Sequence, residues 1–167
     1  MIDAKKKSMA ENARNRLLET ARSLHVAVAG GTEPHRVDQG QSPFIRKEGR
    51  FYIFSSHLSS HTRHILEGAP AQFLLIEDET ASQNIWARVR LNFSAEISEI
   101  HREDTGFDSI CDDIRQAHGP VMDMIRNFTD FHLFSITPVS GVLVTGFAAA
   151  FDVKGPDFTL TAHLSSG

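Results

Sequence analysis

The feature that most constrains the fold is a strict alternation of apolar and polar side chains over residues 85–97. The apolar positions are Ile85, Ala87, Val89, Leu91, Phe93, Ala95 and Ile97. Because successive side chains of a β-strand point to opposite faces, this period of two predicts one long strand with a single buried face. The chain is therefore expected to build its core around a sheet.

Shorter strands and a few helices are predicted around this segment. Lys47-Glu48-Gly49 indicates a hairpin turn, and residues 32–42 show no clear pattern. The strands do not alternate with helices, so a Rossmann sheet is disfavoured, and the pattern predicts an antiparallel barrel with helices at its ends. The predicted strands cover residues 25–29, 44–45, 50–54, 72–76, 131–137, 141–145 and 147–153, with breaks at Pro138 and Gly146, and the predicted helices cover residues 8–23, 59–67, 107–114 and 122–128.

Size and charge exclude several classes of protein. The 167 residues suit one domain over 1–167, with residues 1–7 expected to be disordered. The net charge of −4 disfavours nucleic-acid binding, which needs a basic surface. The single cysteine, Cys111, lies on the apolar face of its predicted helix, which favours packing over catalysis. We find no apolar run of membrane-spanning length and no signal-peptide core, so a cytoplasmic location without membrane contact is expected.

The densest polar cluster runs from Ser55 to His64, where a predicted strand leads into a predicted helix. Amides at a helix N-terminus, with hydroxyl groups and a cation nearby, favour an anion site. Helix capping by the serines is the structural alternative. A metal site is a third interpretation, because the cluster holds three histidines at i, i+4 and i+7 spacing, although it has no carboxylate between them.

Two further features point to ligand chemistry. Arg88 and Arg90 fall on one face of the predicted strand, beside Trp86, and two guanidinium groups suit a phosphate or a pair of carboxylates. The alternative is that they form an ordinary solvated face. His163 lies in the C-terminal tail, from which it is able to swing over a site as a metal ligand, although most tail histidines have no such role.

Three runs of sequence resemble the HugZ/HutZ-type haem-utilisation proteins of the pyridoxamine 5'-phosphate oxidase-like superfamily, the FMN-binding split barrels. The runs are RFYIFSSHLSSHTRHIL, LLIEDETASQNIWARVRLNFSAEI and TDFHLFSITPVSGVLVTGFAAAFDV. The most specific pieces are IEDET, the ARxRL pattern and the DFxLFxxxPxxGxxVxGF pattern, and the similarity covers about residues 10–164. The resemblance implies a mainly β fold with some α structure, namely a split antiparallel β-barrel with peripheral helices.

The resemblance also implies a function and a set of site residues. In such haem-utilisation proteins, haem lies at a homodimer interface, a histidine near the C-terminus holds the iron, and the ring is opened with dioxygen and a reductant. By matching motifs, Asp130 is the acidic partner of the iron ligand, and Arg88 and Arg90 are candidates for the propionates. The usual ligand histidine would follow Gly167, so His163 is taken as the iron ligand and, with Asp130, as a catalytic residue.

The wider superfamily implies an alternative cofactor, FMN. Its phosphate is held by a segment of the type Tyr-Thr-x-x-x-Ser-Arg-Lys, and the residues of this chain that fall on or beside that segment are Ser55, Ser56, Ser60, His61, Thr62 and Arg63. Three functions therefore stay open: haem-iron utilisation with oxidative haem degradation, an FMN-dependent oxidoreductase, and a non-enzymatic carrier of haem or flavin. Each implies a homodimer and a small, planar, anionic ligand.

Overall fold

The computed structural model describes residues 2–30 and 36–164. Within these ranges the helices are α1 (Ala4–Thr20), α2 (Ser60–Leu66), α3 (Phe107–His118) and α4 (Val121–Ile125), with two short 3-10 turns at Glu79–Ala81 and Ile85–Ala87. The strands are β1 (Ser23–Ala29), β2 (Val37–Lys47), β3 (Arg50–Ser56), β4 (Ala71–Ile76), β5 (Arg90–Ile100), β6 (Phe131–Gly146), β7 (Ala149–Lys154) and β8 (Thr159–Leu164).

All of these strands join one sheet, in the order β3-β2-β1-β4-β5-β6-β7-β8. An additional antiparallel pairing joins β3 to β6, with Phe51 opposite Ile136 and Ser56 opposite Phe131. This pairing closes six strands into a ring, which is the connectivity of an antiparallel barrel, while β7 and β8 extend the sheet beyond it. The predicted fold class, a mainly β barrel with additional helices, is confirmed.

The chain divides into two compact units, and each is described by itself. The first unit consists of Met1–Ala21, Gln72–Ala95 and Pro138–Gly167. Its core contains the stacked pair Phe73 and Phe93, whose ring centroids are 5.4 Å apart, and Phe158, whose centroid lies 5.1 Å from that of Phe93. Gly141 lies so close to β5 that an added Cβ would stand 2.2 Å from the carbonyl oxygen of Asn92, so this position requires glycine.

The second unit consists of Arg22–Ala71 and Glu96–Thr137. Helix α3 packs one apolar face into its core, as the helical spacing of the sequence predicts. The buried members of this core are Tyr52, Phe54, Phe107, Ile110, Cys111, Ile114, Met122 and Leu133. Burial of Cys111 raises the pKa of its thiol to about 11, which leaves it protonated and in the packing role expected of it.

The hairpin between β2 and β3 also follows from the sequence. Glu48 and Gly49 have φ angles of 52° and 78°, so both central residues of the turn are left-handed, which matches the right-handed twist of the flanking strands. Strand β2 begins at Val37 and so occupies part of the stretch that the sequence pattern leaves unassigned. The remainder of that stretch, up to residue 35, lies outside the described residues.

The long strand predicted for residues 85–97 is wrong in its first part. Residues Ile85–Ala87 form a 3-10 turn, and β5 begins only at Arg90. The side chain of Asn84 accepts a hydrogen bond of 3.0 Å from the backbone N–H of Trp86, which stabilises the turn over an extended conformation. Ile85 and Trp86 are 57% and 79% exposed. The alternating pattern therefore reports burial only where the strand exists.

The ends of the chain and the region around Pro138 also differ from expectation. Residues 4–7 are helical rather than disordered, because the Asp3 side chain caps α1 by accepting from the backbone N–H groups of Lys5 and Lys6.

Strand β6 runs through Pro138, which falls between the stretch paired with β3 and the stretch paired with β7. The tail forms a further strand, β8, that the sequence analysis did not predict.

Candidate functional site

The polar segment after β3 lies in the second unit, and its hydroxyl groups are engaged with neighbouring protein groups. Ser55 and Thr62 are buried, and their hydroxyl oxygens lie 2.8 Å apart. The Ser56 hydroxyl donates to Oδ2 of Asp130 over 2.5 Å and accepts from the backbone N–H of Leu58 over 3.0 Å. These three hydroxyls are therefore occupied in building the segment, and the Asp130 carboxylate adds negative charge beside them.

Arg63 and His61, in the same segment, also lie against neighbouring protein groups. Arg63 Nη1 donates to the backbone carbonyls of His57 and Leu58 over 2.8 and 2.9 Å. His61 is only 7% exposed, and its ring lies against Gly40, where an added Cβ would stand 2.2 Å from the imidazole. Burial lowers the pKa of His61, while the charge of Asp38 opposes that shift, so His61 is a neutral, buried side chain at pH 7.

Neither capping by serine nor a shared metal site is found here. Ser59 occupies the N-cap of α2 without a capping hydrogen bond from its side chain, and the Ser60 side chain instead bonds to Asp38. His64 lies between two carboxylates, 2.9 Å from Asp38 and 3.1 Å from Glu67. Across residues 2–30 and 36–164 no group of three or more histidine, cysteine or acidic side chains is arranged to hold a metal ion.

Arg88 and Arg90 belong to the first unit, and only Arg90 is part of a strand. Arg88 follows the 3-10 turn, and its Nε and Nη2 donate to the backbone carbonyl of Glu77 over 3.1 and 2.5 Å. Its Nη1 lies 3.1 Å from the Glu79 carboxylate. Arg90 starts β5 and donates to the backbone carbonyl of Arg88 over 3.1 Å. The Arg88 guanidinium thus holds the acidic turn at Glu77 and Glu79, and Arg88 lies before β5 rather than within the long strand that was predicted for residues 85–97.

His163 also belongs to the first unit, and it is not a free tail residue. It lies in β8 opposite Phe151, and the two ring centroids are 4.9 Å apart. Its Nε2 lies 3.2 Å from the backbone carbonyl of Ala148. Because a carbonyl oxygen only accepts, Nε2 carries the proton in this contact. His163 was expected to lie in a tail able to swing over a site, because strand β8 was not predicted from the sequence.

The structure thus gathers most of the predicted site residues in the second unit. The members in that unit are Ser55, Ser56, Ser60, His61, Thr62, Arg63 and Asp130, whereas Arg88, Arg90 and His163 are in the first unit. Asp130 precedes β6, and its backbone carbonyl accepts from the N–H of His57 over 2.8 Å. The residues on the phosphate-type segment and the predicted acidic residue therefore meet at the junction of β3 and β6.

A chain of three side chains at the same junction was missed by the sequence analysis. Nδ1 of His132 lies 2.6 Å from Oε1 of Glu99, and Nε2 of His132 lies 3.1 Å from Nδ1 of His57. His57 follows β3, His132 is in β6 and Glu99 is in β5, so only the pairing of strands brings them together. We call this group the Glu99–His132–His57 chain. The sequence signals were a histidine after β3 and another directly after Asp130-Phe131.

A shallow cleft of about 170 Å³ lies next to the Glu99–His132–His57 chain. The polar side chains lining it include Glu99, His101, Arg102, Thr129 and His132. Arg102 donates to the backbone carbonyls of Arg126 and Phe128, and its guanidinium lies 5.3 Å from the centre of the Phe107 ring. The Arg102 charge is therefore largely taken up in holding the loop before β6.

Comparison with known proteins finds several that are similar to this chain in sequence or in fold. No family model matches the chain. It is 29% identical over 132 residues to the heme oxygenase HutZ of Vibrio cholerae, an alignment that covers 79% of this chain and 75% of that protein. The crystal structure of HutZ from V. cholerae, described as a heme storage protein, matches with a TM-score of 0.70 at 23% identity, over 77% of this chain and 89% of that one.

Two further solved structures share the fold. ChuZ of Campylobacter jejuni matches with a TM-score of 0.80 at 24% identity, covering 95% of this chain and 65% of that one, so this chain spans about two thirds of the length of ChuZ. A putative pyridoxamine 5'-phosphate oxidase of Listeria innocua matches with a TM-score of 0.55 at 13% identity, over 81% of this chain and 98% of that one.

The strand order and these neighbours define the fold, an antiparallel barrel that this chain shares with the putative pyridoxamine 5'-phosphate oxidase. The chain is also similar in sequence to the heme oxygenase HutZ, at 29% identity. In the described part of the chain, the helices are too short or too polar to cross a bilayer.

Proposed function

We propose that this protein binds haem and serves in haem-iron utilisation. The observation that carries the proposal is the 29% identity to the heme oxygenase HutZ, which extends over three quarters or more of both chains. The barrel fold, shared with HutZ, supports it. Haem is a planar, apolar ring that carries two propionates and an iron, so it needs an axial ligand, apolar contacts and cations.

The residues at the junction of β3 and β6 fit these needs. His57 offers an imidazole. Apolar contacts are offered by Leu58, whose side chain is 78% exposed, and by Phe128 in the loop before β6, which is 44% exposed. Arg63 places a cation beside His57, whose backbone carbonyl accepts from Arg63 Nη1. When bound, haem iron supplies the oxygen chemistry, while the protein holds and orients the ring. Asp130 is the proposed acidic partner, with its carboxylate fixed by the Ser56 hydroxyl.

Arg90 is the better candidate of the two arginines for a propionate. One nitrogen of its guanidinium donates to a backbone carbonyl, which leaves donors on the others. Arg88 already holds Glu77 and Glu79, and its side chain is only 17% exposed. We therefore propose that Arg90 contacts a propionate and that the backbone carbonyl of Arg88 holds the Arg90 guanidinium in place.

FMN is less well supported as the ligand. Binding of its phosphate needs free donors in the segment after β3, but Ser55, Thr62 and Ser56 are already hydrogen-bonded to protein groups. The Asp130 carboxylate, which accepts from Ser56, would repel a phosphate placed there. FMN binding is thus the alternative that the following experiment discriminates from haem binding.

The experiment is a pair of titrations of the purified protein, one with haemin followed by visible absorbance and one with FMN followed by flavin fluorescence. We expect a saturable Soret band with one haem per chain and no quenching of FMN. Loss of the Soret band with ascorbate and dioxygen would identify an oxygenase, and a stable band would identify a storage or carrier protein. Saturable FMN quenching without a Soret band would overturn the proposal.

We infer further that the protein acts as a homodimer, as the resemblance to the haem-utilisation proteins implies. Each unit exposes large apolar side chains that favour association: Leu58 in the second unit is 78% exposed, and Trp86 and Phe147 in the first are 79% and 70% exposed. Light scattering coupled to size exclusion should give twice the monomer mass. A monomer at micromolar concentration, with and without haem, would contradict this inference.

A further inference from the structure

The turn between β6 and β7 presents an exposed phenylalanine on a strained backbone. Gly146 pairs with Ala149, so the loop consists of Phe147 and Ala148 alone, and Phe147 is 70% exposed. Ala148 has a φ angle of 50°, which residues other than glycine rarely adopt. Its carbonyl accepts from Nε2 of His163 over 3.2 Å, so a side chain of β8 holds the loop in this conformation. Backbone strain of this kind is concentrated at functional sites, where a side chain must be held in one position.

Phe147 lies at the end of the first unit where β5 begins. Strands β5 and β6 are neighbours in the sheet. The Ser94 hydroxyl lies 3.1 Å from that of Ser140, and Gly141 lies against the carbonyl of Asn92. Residue numbers thus fall along β5 as they rise along β6, so the two strands are antiparallel. The segment before β5 and the turn that follows β6 are therefore at the same end of this strand pair.

Exposed apolar side chains are concentrated at this end of the first unit. Leu164 belongs to the same end, because it pairs with Ala150 near the start of β7. The exposed fractions are 79% for Trp86, 70% for Phe147, 57% for Ile85 and 39% for Leu164. We call these four residues the Trp86–Phe147 patch. Single exposed apolar side chains are common, whereas several at one place indicate a surface that binds a ligand or partner.

The charges beside the Trp86–Phe147 patch favour an anionic ligand. Arg90, the first residue of β5, donates to a backbone carbonyl from one guanidinium nitrogen and keeps donors on the others. The nearby Glu79 carboxylate is paired with Arg88 over 3.1 Å, which offsets its negative charge. Aromatic side chains with a cation beside them suit a planar apolar ring that carries carboxylates.

From this placement we propose that Trp86 and Phe147 contact the haem ring whose propionate Arg90 holds. The inference rests on the proposed haem-binding function and extends it to a surface of the first unit. A planar ring has two faces, so this contact does not compete with the contacts proposed at the junction of β3 and β6.

The first test uses protoporphyrin IX, which has the ring and the propionates of haem but no iron, so that iron ligation contributes nothing to binding. Trp86→Ala and Phe147→Ala should each lower porphyrin affinity roughly 10-fold in fluorescence titrations, because an aromatic contact and its buried area are lost. Phe147→Tyr keeps an aromatic ring and should bind like the wild-type protein. Val139→Ala, at an exposed apolar position elsewhere in β6, is the matched control. Wild-type affinity in both alanine variants would overturn the inference.

The second test uses the haem-loaded protein and separates ring contact from iron ligation. In Trp86→Ala and Phe147→Ala the Soret absorption maximum should stay at its wild-type position, because neither substitution removes an iron ligand. The circular dichroism of the Soret band should weaken, since coupling with neighbouring aromatic rings contributes to that signal. Soret circular dichroism that is unchanged in both variants would contradict the proposed contact.

Failure of the inference can be told apart from failure of the proposed function. A wild-type protein that binds neither haem nor protoporphyrin IX refutes the proposed function, and the inference with it. A wild-type protein that binds haem but not protoporphyrin IX refutes only the inference, because the ring contacts then contribute too little. Each variant should keep the wild-type mass in light scattering. Variants that become monomeric and still bind the porphyrin normally would assign the Trp86–Phe147 patch to a subunit contact and overturn the inference.

Discussion

Two segments of this chain were both predicted to bind an anion and differ in structure: the β3–α2 segment, residues 55–64, and the arginine segment, residues 85–90. Each places at least one arginine next to a strand. In the arginine segment, the Arg88 guanidinium is consumed by Glu77 and Glu79. In the β3–α2 segment, the hydroxyls of Ser55 and Thr62 bond to each other, and Arg63 donates to the backbone carbonyl of His57. These contacts hold the backbone around His57 in place. A cluster of polar residues is able to bind a ligand only through groups that are not already hydrogen-bonded within the protein.

The largest effect on this comparison is expected from Gly40→Ala. The added Cβ would stand 2.2 Å from the His61 ring, which α2 holds in the β3–α2 segment. Because the ring is buried and must shift, the free energy of unfolding should fall by roughly 1–3 kcal/mol. Gly146→Ala is the matched control, since no atom lies within 4 Å of the Cβ position there. Urea unfolding measures both, and equal losses would contradict the account.

The next effect tests the buried pair in the β3–α2 segment. Thr62→Val leaves the Ser55 hydroxyl without its partner at 2.8 Å, which should cost about 1.5 kcal/mol of unfolding free energy. The double variant with Ser55→Ala should lose less than the sum of the single variants, because it removes both polar groups. Additive losses in urea unfolding would show that the two hydroxyls do not bond to each other. Thr159→Val, at an exposed position of β8, is the control.

A smaller effect is expected in the arginine segment. Arg88→Ala removes the hydrogen bonds to the Glu77 carbonyl and should lower the free energy of unfolding by about 1 kcal/mol. Haem affinity should change less than twofold, whereas Arg90→Ala should weaken haem binding several-fold. Arg50→Ala, at an exposed position of β3, controls for loss of a positive charge. If Arg88→Ala weakens haem binding more than Arg90→Ala, the assigned roles of the two arginines are reversed.

The smallest effect is a pH dependence. The folded protein lowers the pKa of His61 below its usual value of 6.5, because burial disfavours the charged ring. The unfolded chain therefore binds the proton more readily, so stability contributed by neutral His61 is present above pH 6.5 and is lost as the pH falls toward the lowered pKa. Thermal unfolding from pH 7.5 to 5.5 should show this loss in the wild-type protein. A His61→Gln variant with the same slope would contradict it.

The barrel was predictable because alternation and turn chemistry act locally. The buried positions Val89, Leu91 and Phe93 and the Glu48-Gly49 turn were each readable from a few neighbouring residues. The misassigned start of β5 has a local cause that the alternation hides, since the Asn84 side chain stabilises a turn. Strand β8 was missed although Leu160, Ala162 and Leu164 alternate with polar residues, because the segment was treated as a tail.

The candidate site was only partly predictable, because its geometry depends on which strands pair. The cluster at 55–63 and the acidic residue Asp130 were found from sequence, but the partnership of His57 with His132 requires the register that sets Ser55 opposite His132. The engagement of Arg88 by Glu77 is likewise a contact across a turn that spacing does not reveal. The sequence shows which residue types are present, but it does not show that His57 and His132 contact each other through their ring nitrogens.

The most direct measurement is a crystal structure of the haem-loaded protein, with the iron located by its anomalous scattering. The account predicts haem in contact with the β3–α2 segment, with the exposed side chain of Leu58 against the ring. Haem bound away from the β3–α2 segment would contradict it.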